Sequence, residues 1–330
     1  MTVSVIIPAY NASVTIERLL RALTVQEFPR PFEVIVVNDG STDKTAEVVK
    51  AFPNVKLVSQ PNAGPAAARN TGAAYARGDL LCFTDADCVP HSDWIVMLVK
   101  GFERSGVAAV CGSYGIANPE SILARGIHAE ILFRHCYLLP DFPKVFGSYN
   151  FCIQKKVFDS LGGFNTTYRS ASGEDNDLSY RVIAIGGRIY FERKALVDHY
   201  HTTRLLRYLK EQCRHGHWRL TMYADHPQMI KGDNYTFWKD MLEVPWSFVC
   251  VMGIGVALLG KVPMFVVVCI LFMPFLVFEI FFARCMIKNY FEIFIYGNVM
   301  FLRAFARSFG LSTGFFCFFW IKFKKMLNKD

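Results

Sequence analysis

Up to about residue 90 the chain alternates short, apolar, β-branched runs with stretches whose apolar positions recur every three or four residues. VSVIIPAY, FEVIVVNDG, VKLVSQ and DLLCFTDAD read as strands. Between them, Val14 to Leu23, STDKTAEVVKAF and the small-residue stretch GPAAARNTGAAYA read as helices, the second capped by Ser41 or Thr42. Strands that are apolar along nearly their whole length are buried on both faces, so the pattern predicts an α/β domain with a mostly parallel sheet between helices. Ligands in such sheets sit beyond the carboxyl ends of the strands. Asn38-Asp39-Gly40 and Asp85-Ala86-Asp87 fall at those ends, on one rim. The opening TVSVIIPAYN has no basic leader and reads as the first strand, not as a signal peptide.

The pattern then changes twice. Residues 110 to 243 are mixed, with aromatic loops and turns at Gly162-Gly163 and Gly186-Gly187. Val244 to Gly260 is uncharged, Lys261-Val262-Pro263 interrupts, and Met264 to Phe278 is uncharged again before Glu279 and Arg284. This predicts a transmembrane helical hairpin over 244–284, each arm near the ~20 residues that cross a bilayer. The connection carries one Lys whereas both flanks are rich in Lys and Arg, which puts both ends on the cytoplasmic side. Residues 285–330 are aromatic and basic without a clean span and read as interfacial amphipathic helices, although GLSTGFFCFFW also suits a third membrane element. Glu279 lies at membrane depth, where a polar group is a functional candidate, but an ion pair with nearby Arg284 is the simpler account.

Charge and composition sharpen this division. The 330 residues are 52% hydrophobic with a formal net charge of +8. Past residue 243 nine Lys/Arg face three acids, which leaves a surplus of two for everything before it. A basic surplus on the apolar end points to an anionic membrane surface and not to nucleic acid, for which no recognition motif is present. The ten cysteines are scattered without a C-x-x-C pair, so buried thiols are expected instead of a disulfide framework or a zinc site.

Asp85 and Asp87, one residue apart on a turn leaving a strand, can both face one cation, and carboxylate oxygens suit Mg2+ or Mn2+ with substrate phosphates as further ligands. Aspartates capping a turn are the alternative. Asp39 ends a strand where it could accept hydrogen bonds from a base or ribose, or cap a helix. NAGPAAARN places Gly64, Arg69 and Asn70 where backbone can approach a ligand and Arg can face phosphate, or where a helix packs tightly.

IIPAYN, VVNDGSTD, NAGPAAARN, DADCVP, GGFNTTY…GEDNDLSYR and VDHYH occur in the order and spacing of family-2 glycosyltransferases of the GT-A fold, and residues 2 to 220 resemble that family. The resemblance implies a catalytic domain over 1–220 and leaves 221–243 as an interfacial linker. It implies that Pro8, Tyr10 and Asn11 meet the nucleotide, that Asp39 holds the base, and that Gly64 and Arg69 line the nucleotide pocket. Asp85 and Asp87 match the D-x-D motif, nearer ribose and metal respectively. Glu174 and Asp175 match the E-D pair whose aspartate is the catalytic base. His199 matches a histidine close to metal and diphosphate. Ala12 stands where the family often has an acidic residue, so the resemblance does not carry that ribose contact over. A solvated acidic turn is the alternative for Glu174 and Asp175. His201 shares the strand face of His199, but a lone histidine is more often structural.

Asn150, with Gly147, falls in a segment near the family's acceptor, where an amide could bind a sugar hydroxyl or simply hold a turn. EQCRHGHWR lacks the spacing of the Q-x-x-R-W element of processive synthases and is closer to a helix of members that add one sugar to a membrane-bound acceptor. Arg214 and Trp218 then grip diphosphate and sugar, unless they belong to a basic interfacial helix.

The expectation is an inverting enzyme on the cytoplasmic face of a membrane. It moves one sugar from a nucleotide-diphosphate sugar, UDP-sugars being the family's commonest donors, to a lipid-linked or glycolipid acceptor with Mn2+ or Mg2+. A processive polysaccharide synthase needs a channel of several membrane helices, more than the two predicted. An inactive nucleotide- or carbohydrate-binding scaffold would be expected to lose Asp85, Asp87 or Asp175, and all three are present.

Overall fold

The computed structural model describes residues 1–168, 173–227 and 234–327. Its strands are β1 (Val3–Ala9), β2 (Phe32–Asp39), β3 (Val55–Gln60), β4 (Leu80–Thr84), β5 (Cys88–Pro90), β6 (Val107–Ile116), β7 (Asn150–Gln154) and β8 (Arg188–His199). The helices begin with α1 (Ile16–Thr24), α2 (Thr45–Lys50), α3 (Pro65–Tyr75), α4 (Trp94–Gly101), α5 (Ile122–Tyr137), α6 (Lys155–Ser160) and α7 (Glu174–Ala184). They continue with α8 (Leu205–Asp225), α9 (Trp238–Leu258), α10 (Met264–Met286) and α11 (Tyr290–Leu327). The chain forms two compact units: Met1–Pro119, Arg134–His201 and Asp233–Tyr235 in the first, and Glu120–Phe133, Thr202–Gly232 and Thr236–Asp330 in the second.

The first unit holds one eight-stranded mixed sheet in the order β3-β2-β1-β4-β7-β6-β8-β5. The four strands expected from the sequence, β1 to β4, pair in parallel, and β7 runs antiparallel to both β4 and β6. Their continuous apolar runs follow from burial: Ile6, Ile35, Val37, Leu81 and Phe83 are sealed in one core, each contributing about 1.5–3 kcal/mol. Helix α1 buries Ile16, Leu19, Leu20 and Leu23, one face of the predicted period. Helix α3 lies so close to the sheet that a Cβ on Gly72 would come within 2.4 Å of Ile6 Cγ2, which is why small residues fill it. β5 pairs antiparallel with β8, placing Cys88 opposite His199, and Tyr200 donates its N–H to the Asp87 carbonyl.

In the second unit α9 and α10 form the expected hairpin, and both are long and apolar enough to cross a membrane. A π-helical stretch, Val268–Phe272, precedes Pro274 in α10; proline lacks the N–H that would continue the regular ladder there. The unit departs from the sequence expectation in three ways. Helix α8 runs unbroken through residue 220 to Asp225. Residues Tyr290–Leu327 form a single 38-residue helix, where separate interfacial helices were expected. Arg303 and Arg307 interrupt that helix's apolar run in sequence but are neutralised inside the unit by Glu130, Glu243 and Asp240. Finally, Glu279 pairs at 2.6 Å with Lys239 of α9 and not with Arg284. It is fully buried against that helix, whereas Arg284 is exposed.

Helix α8 docks on α11 backbone to backbone. Cβ atoms at Gly216, Gly310 and Gly314 would meet the Arg307, Cys213 and His217 carbonyls at 2.2, 1.9 and 2.1 Å, and His217 Nδ1 lies 3.0 Å from Thr313 Oγ1.

Candidate active site

The sequence-predicted residues of the first unit gather at the carboxyl ends of β1, β2, β4 and β8 and at the start of α7. At the end of β1, Pro8 is half-buried and the Tyr10 ring is 54% exposed. Asn11 follows in the left-handed region at φ 50°, a conformation asparagine tolerates. Its Oδ1 accepts from the Thr42 N–H at 2.8 Å and its N–H donates to Ser41 Oγ at 3.0 Å, which ties the loop after β1 to the loop after β2. Asp43 reinforces this, accepting from Ser13 and Thr45. Its pKa is lowered to about 2 because those hydrogen bonds outweigh the desolvation that would raise it.

Asp39 is buried at the end of β2. Its Oδ1 accepts from Gln60 Nε2 at 2.7 Å and from the Ala63 N–H at 2.9 Å, and its Oδ2 from the Gly64 N–H at 2.9 Å. The carboxylate thereby holds the turn into α3, where Gly64 takes φ +90°. An ionised carboxylate has about four acceptor positions, and three of them are filled by these donors.

Arg69, only 2% exposed, is where the structure departs most from the reading of single residues. Its NH2 donates to Asp85 Oδ1 at 2.7 Å and its NH1 to Glu174 Oε1 at 3.0 Å. It is a clamp between β4 and α7, and is not turned out to phosphate as the sequence suggested. Phe164 lies under the guanidinium, 5.5 Å from the ring centroid. The turn carrying Phe164 is itself pinned: Asn70 accepts from the Phe164 N–H and donates to its carbonyl, both at 2.8 Å. Gly163 there, at φ +75°, leaves no room for a Cβ beside Asn70 Oδ1. Arg181 of α7 donates to the Leu161 and Gly163 carbonyls and pairs with Asp177.

Glu174 and Asp175 open α7, where the helix N-terminus favours acidic side chains. Glu174 is buried against Arg69, while Asp175 is half-buried. Burial, and then the neighbouring Glu174 charge, raise the Asp175 pKa to about 7. A carboxylate balanced near neutrality can accept a proton and release it again.

Asp87 and His199 meet through the β5–β8 pairing, with His199 Nε2 3.5 Å from Asp87 Oδ1. With Cys88 they bring three potential donor atoms within 4.8 Å of one another. The set fits a divalent cation on its oxygen and imidazole donors. The buried Cys88 thiol is a soft ligand with little affinity for Mg2+ or Mn2+, and burial with the charges of Asp87 and Asp85 pushes its pKa up. On the other side His199 Nδ1 sits 3.0 Å from His201 Nδ1. Tyr114 stacks at 3.8 Å on Tyr149 and lies 5.1 Å from the His199 ring, an aromatic wall that the sequence reading missed because its partners come from segments far apart in the chain.

One expectation is not met by the geometry. Asn150 is fully buried with its amide engaged throughout: Nδ2 donates to the Ser113 and Ala195 carbonyls and Oδ1 accepts from Trp94 Nε1. It joins β6, β7, β8 and α4 and has no amide hydrogen left for a sugar. Arg214 and Trp218 belong to α8 in the second unit, Arg214 exposed and Trp218 half-buried.

Residues 4–171 match the profile of Glycosyl transferase family 2. The chain is 34% identical over 211 residues to the probable glycosyltransferase YdaM of Bacillus subtilis, covering 57% of this chain and 48% of that protein. It is 31% identical over 234 residues to the pre-mycofactocin glycosyltransferase of Mycobacterium tuberculosis, covering 68% of this chain and 48% of that one. The chain thus spans about half the length of these curated relatives. Among solved structures, the mannosyltransferase PcManGT of Pyrobaculum calidifontis, in complex with GDP-Man and Mn2+, is alike in fold with a TM-score of 0.56 at 20% identity, covering 92% of this chain and 85% of that one. With the family's profile matched across just over half its length and the corresponding carboxylates gathered on one rim of a GT-A sheet, this chain belongs to glycosyl transferase family 2.

Proposed function

We propose that this chain transfers one sugar, with inversion, from a nucleotide-diphosphate sugar to a hydroxyl of a membrane-bound, lipid-linked acceptor. The observation that carries the reading is the Asp85–Arg69–Glu174 clamp, which brings the D-x-D turn and the start of α7 together and leaves Asp175 half-exposed with a pKa near 7. The Asp175 carboxylate takes the proton of the acceptor hydroxyl as its oxygen attacks the anomeric carbon. The bond to the diphosphate oxygen breaks on the opposite face, and the proton then passes to solvent. Arg69 keeps Glu174 and Asp85 in register, Tyr10 offers an exposed ring for a base to stack on, and Asp39 offers its last acceptor position to a base N–H. Asp87 and His199 would hold a divalent cation, Mn2+ or Mg2+, which when bound neutralises charge developing on the diphosphate. The GDP-Man and Mn2+ of the P. calidifontis neighbour support that donor class and that cation.

The acceptor assignment rests on α9 and α10. Only 17% and 22% of their most apolar stretches are buried within the chain, and Met252, Leu258, Leu259 and Phe265 stand exposed. Water around such a surface is costly at about 25 cal/mol per Å2, and lipid removes that cost. In this reading the hairpin crosses the membrane with the enzyme on the cytoplasmic face, held near lipid-borne hydroxyls and an anionic surface. The test is to incubate detergent-solubilised protein and Asp175→Asn with a panel of nucleotide sugars, Mn2+ and a membrane-lipid extract. Labelled lipid and nucleoside diphosphate released together by wild type alone are the expected result. Nucleotide binding without turnover for any donor favours a binding scaffold, and full activity in Asp175→Asn removes it as the base.

A further inference from the structure

We propose that His201 is a positioning residue for His199, setting the tautomer and ring orientation with which His199 faces a divalent cation; this rests on the cation reading above. The backbone of His201 is held on both sides by one amide: its N–H donates to Asn118 Oδ1 at 3.1 Å, and its carbonyl accepts from Asn118 Nδ2 at 2.7 Å. Both residues are buried. The backbone that carries the ring is thereby fixed, and the ring meets His199 at a centroid separation of 4.6 Å, Nδ1 to Nδ1. Tyr114 packs beside both rings, 5.1 Å from His199 and 6.0 Å from His201.

A hydrogen bond between two imidazole nitrogens needs one N–H and one lone pair. His199 Nε2 is the nitrogen turned to Asp87, and a nitrogen that ligates a cation must present its lone pair. The His199 proton then sits on Nδ1 and is donated to His201 Nδ1, whose own proton lies on Nε2. An acceptor behind a ligating histidine fixes its tautomer and raises its basicity, and losing such a partner typically weakens metal binding about 10–100-fold. The sequence placed the two histidines on one strand face, but only the Asn118 bridge and the 3.0 Å contact reveal that one serves the other.

The test compares His201→Phe, which fills similar volume without an acceptor, with His201→Asn, whose amide oxygen falls near the Nδ1 position. Mn2+ binding to the detergent-solubilised full chain is titrated by electron paramagnetic resonance with UDP present, and again with GDP. His201→Phe is expected to weaken Mn2+ binding about 10–100-fold, with His201→Asn recovering most of it and thermal stability alike in both. Unchanged binding in His201→Phe overturns the proposal. So does equal weakening in both variants with a matching loss of stability, which makes His201 a packing residue. Asp87→Asn and His199→Ala separate the layers: if neither affects Mn2+, the cation reading falls and this proposal with it. If both abolish binding and His201→Phe does not, only the positioning role falls.

Discussion

Each unit buries a cluster of charge around an arginine, and the two clusters differ in what they leave open. In the first, Arg69 is held between Asp85 and Glu174, yet the neighbouring Asp175 and Asp87 reach solvent. In the second, Arg303 joins Glu130 at 2.5 Å and Glu243 at 2.9 Å, Lys239 bridges Glu243 and Glu279, and Tyr296 donates to Glu130 at 2.8 Å. None of Glu130, Lys239, Glu243, Glu279 and Arg303 is exposed. Arg307 adds Asp240 of α9 and Gln212 of α8, so α5, α8, α9, α10 and α11 all contribute a side chain. Buried ion pairs gain little net stability, because desolvation offsets their attraction. The closed cluster therefore matters for which helix faces which, while the open one matters for the protonation state it imposes on a group at its edge.

The sharpest way to test that contrast is at Asp175. Asp175→Asn is expected to lower kcat by about 10²–10⁴-fold while leaving the protein at least as stable. The sign follows from linkage: a carboxyl raised from 3.8 to about 7 binds its proton more tightly folded than unfolded, so its ionisation costs stability as pH rises through that window. The gain in Tm on Asp175→Asn should be larger at pH 8 than at pH 5, and a loss of Tm at pH 8 would contradict the assignment.

Removing one partner of the closed cluster should act on folding instead. Arg303→Met is expected to cost about 3–5 kcal/mol in denaturation of the solubilised protein, because it removes the buried charge that faces both Glu130 and Glu243. Combining it with Glu130→Leu and Glu243→Leu should recover most of that loss. Failure of the triple variant to recover would show that the ion pairs are not interchangeable with apolar packing.

The pH profile offers a smaller effect. Below pH 7 the fraction of ionised Asp175 falls, so kcat/KM should drop about tenfold per pH unit, and a flat profile between pH 5 and 7 would exclude Asp175 as the base. Smallest is Asn150→Ala, expected to cost about 1–3 kcal/mol of stability through its lost hydrogen bonds with the acceptor KM unchanged. A raised KM without loss of stability would restore the acceptor role.

The parallel strands, the rim carrying Asp39, Asp85 and Asp87, and the apolar hairpin were all legible along the chain. Each depends on a local pattern: continuous apolar strands, turn residues at their ends, uncharged runs of membrane length. Arg69, Asn150 and Glu279 were not legible in the same way. An arginine beside a nucleotide-binding turn can face phosphate or bridge carboxylates, and only the approach of Glu174 settles which. Asn150 has one set of partners on β6, β8 and α4, none adjacent in sequence. Glu279 sits closer in sequence to Arg284 but finds Lys239, because α9 lies against its face of α10.

By itself, then, the sequence determined the kind of sheet, the family and the residues that gather on its rim, since periodicity and motif order are properties of the chain alone. The tertiary structure decided which charges neutralise one another, which amide is structural, and that His201 lies against His199. Those outcomes depend on distances between segments far apart in the chain, and burial makes each buried polar group take whichever partner packing brings to it.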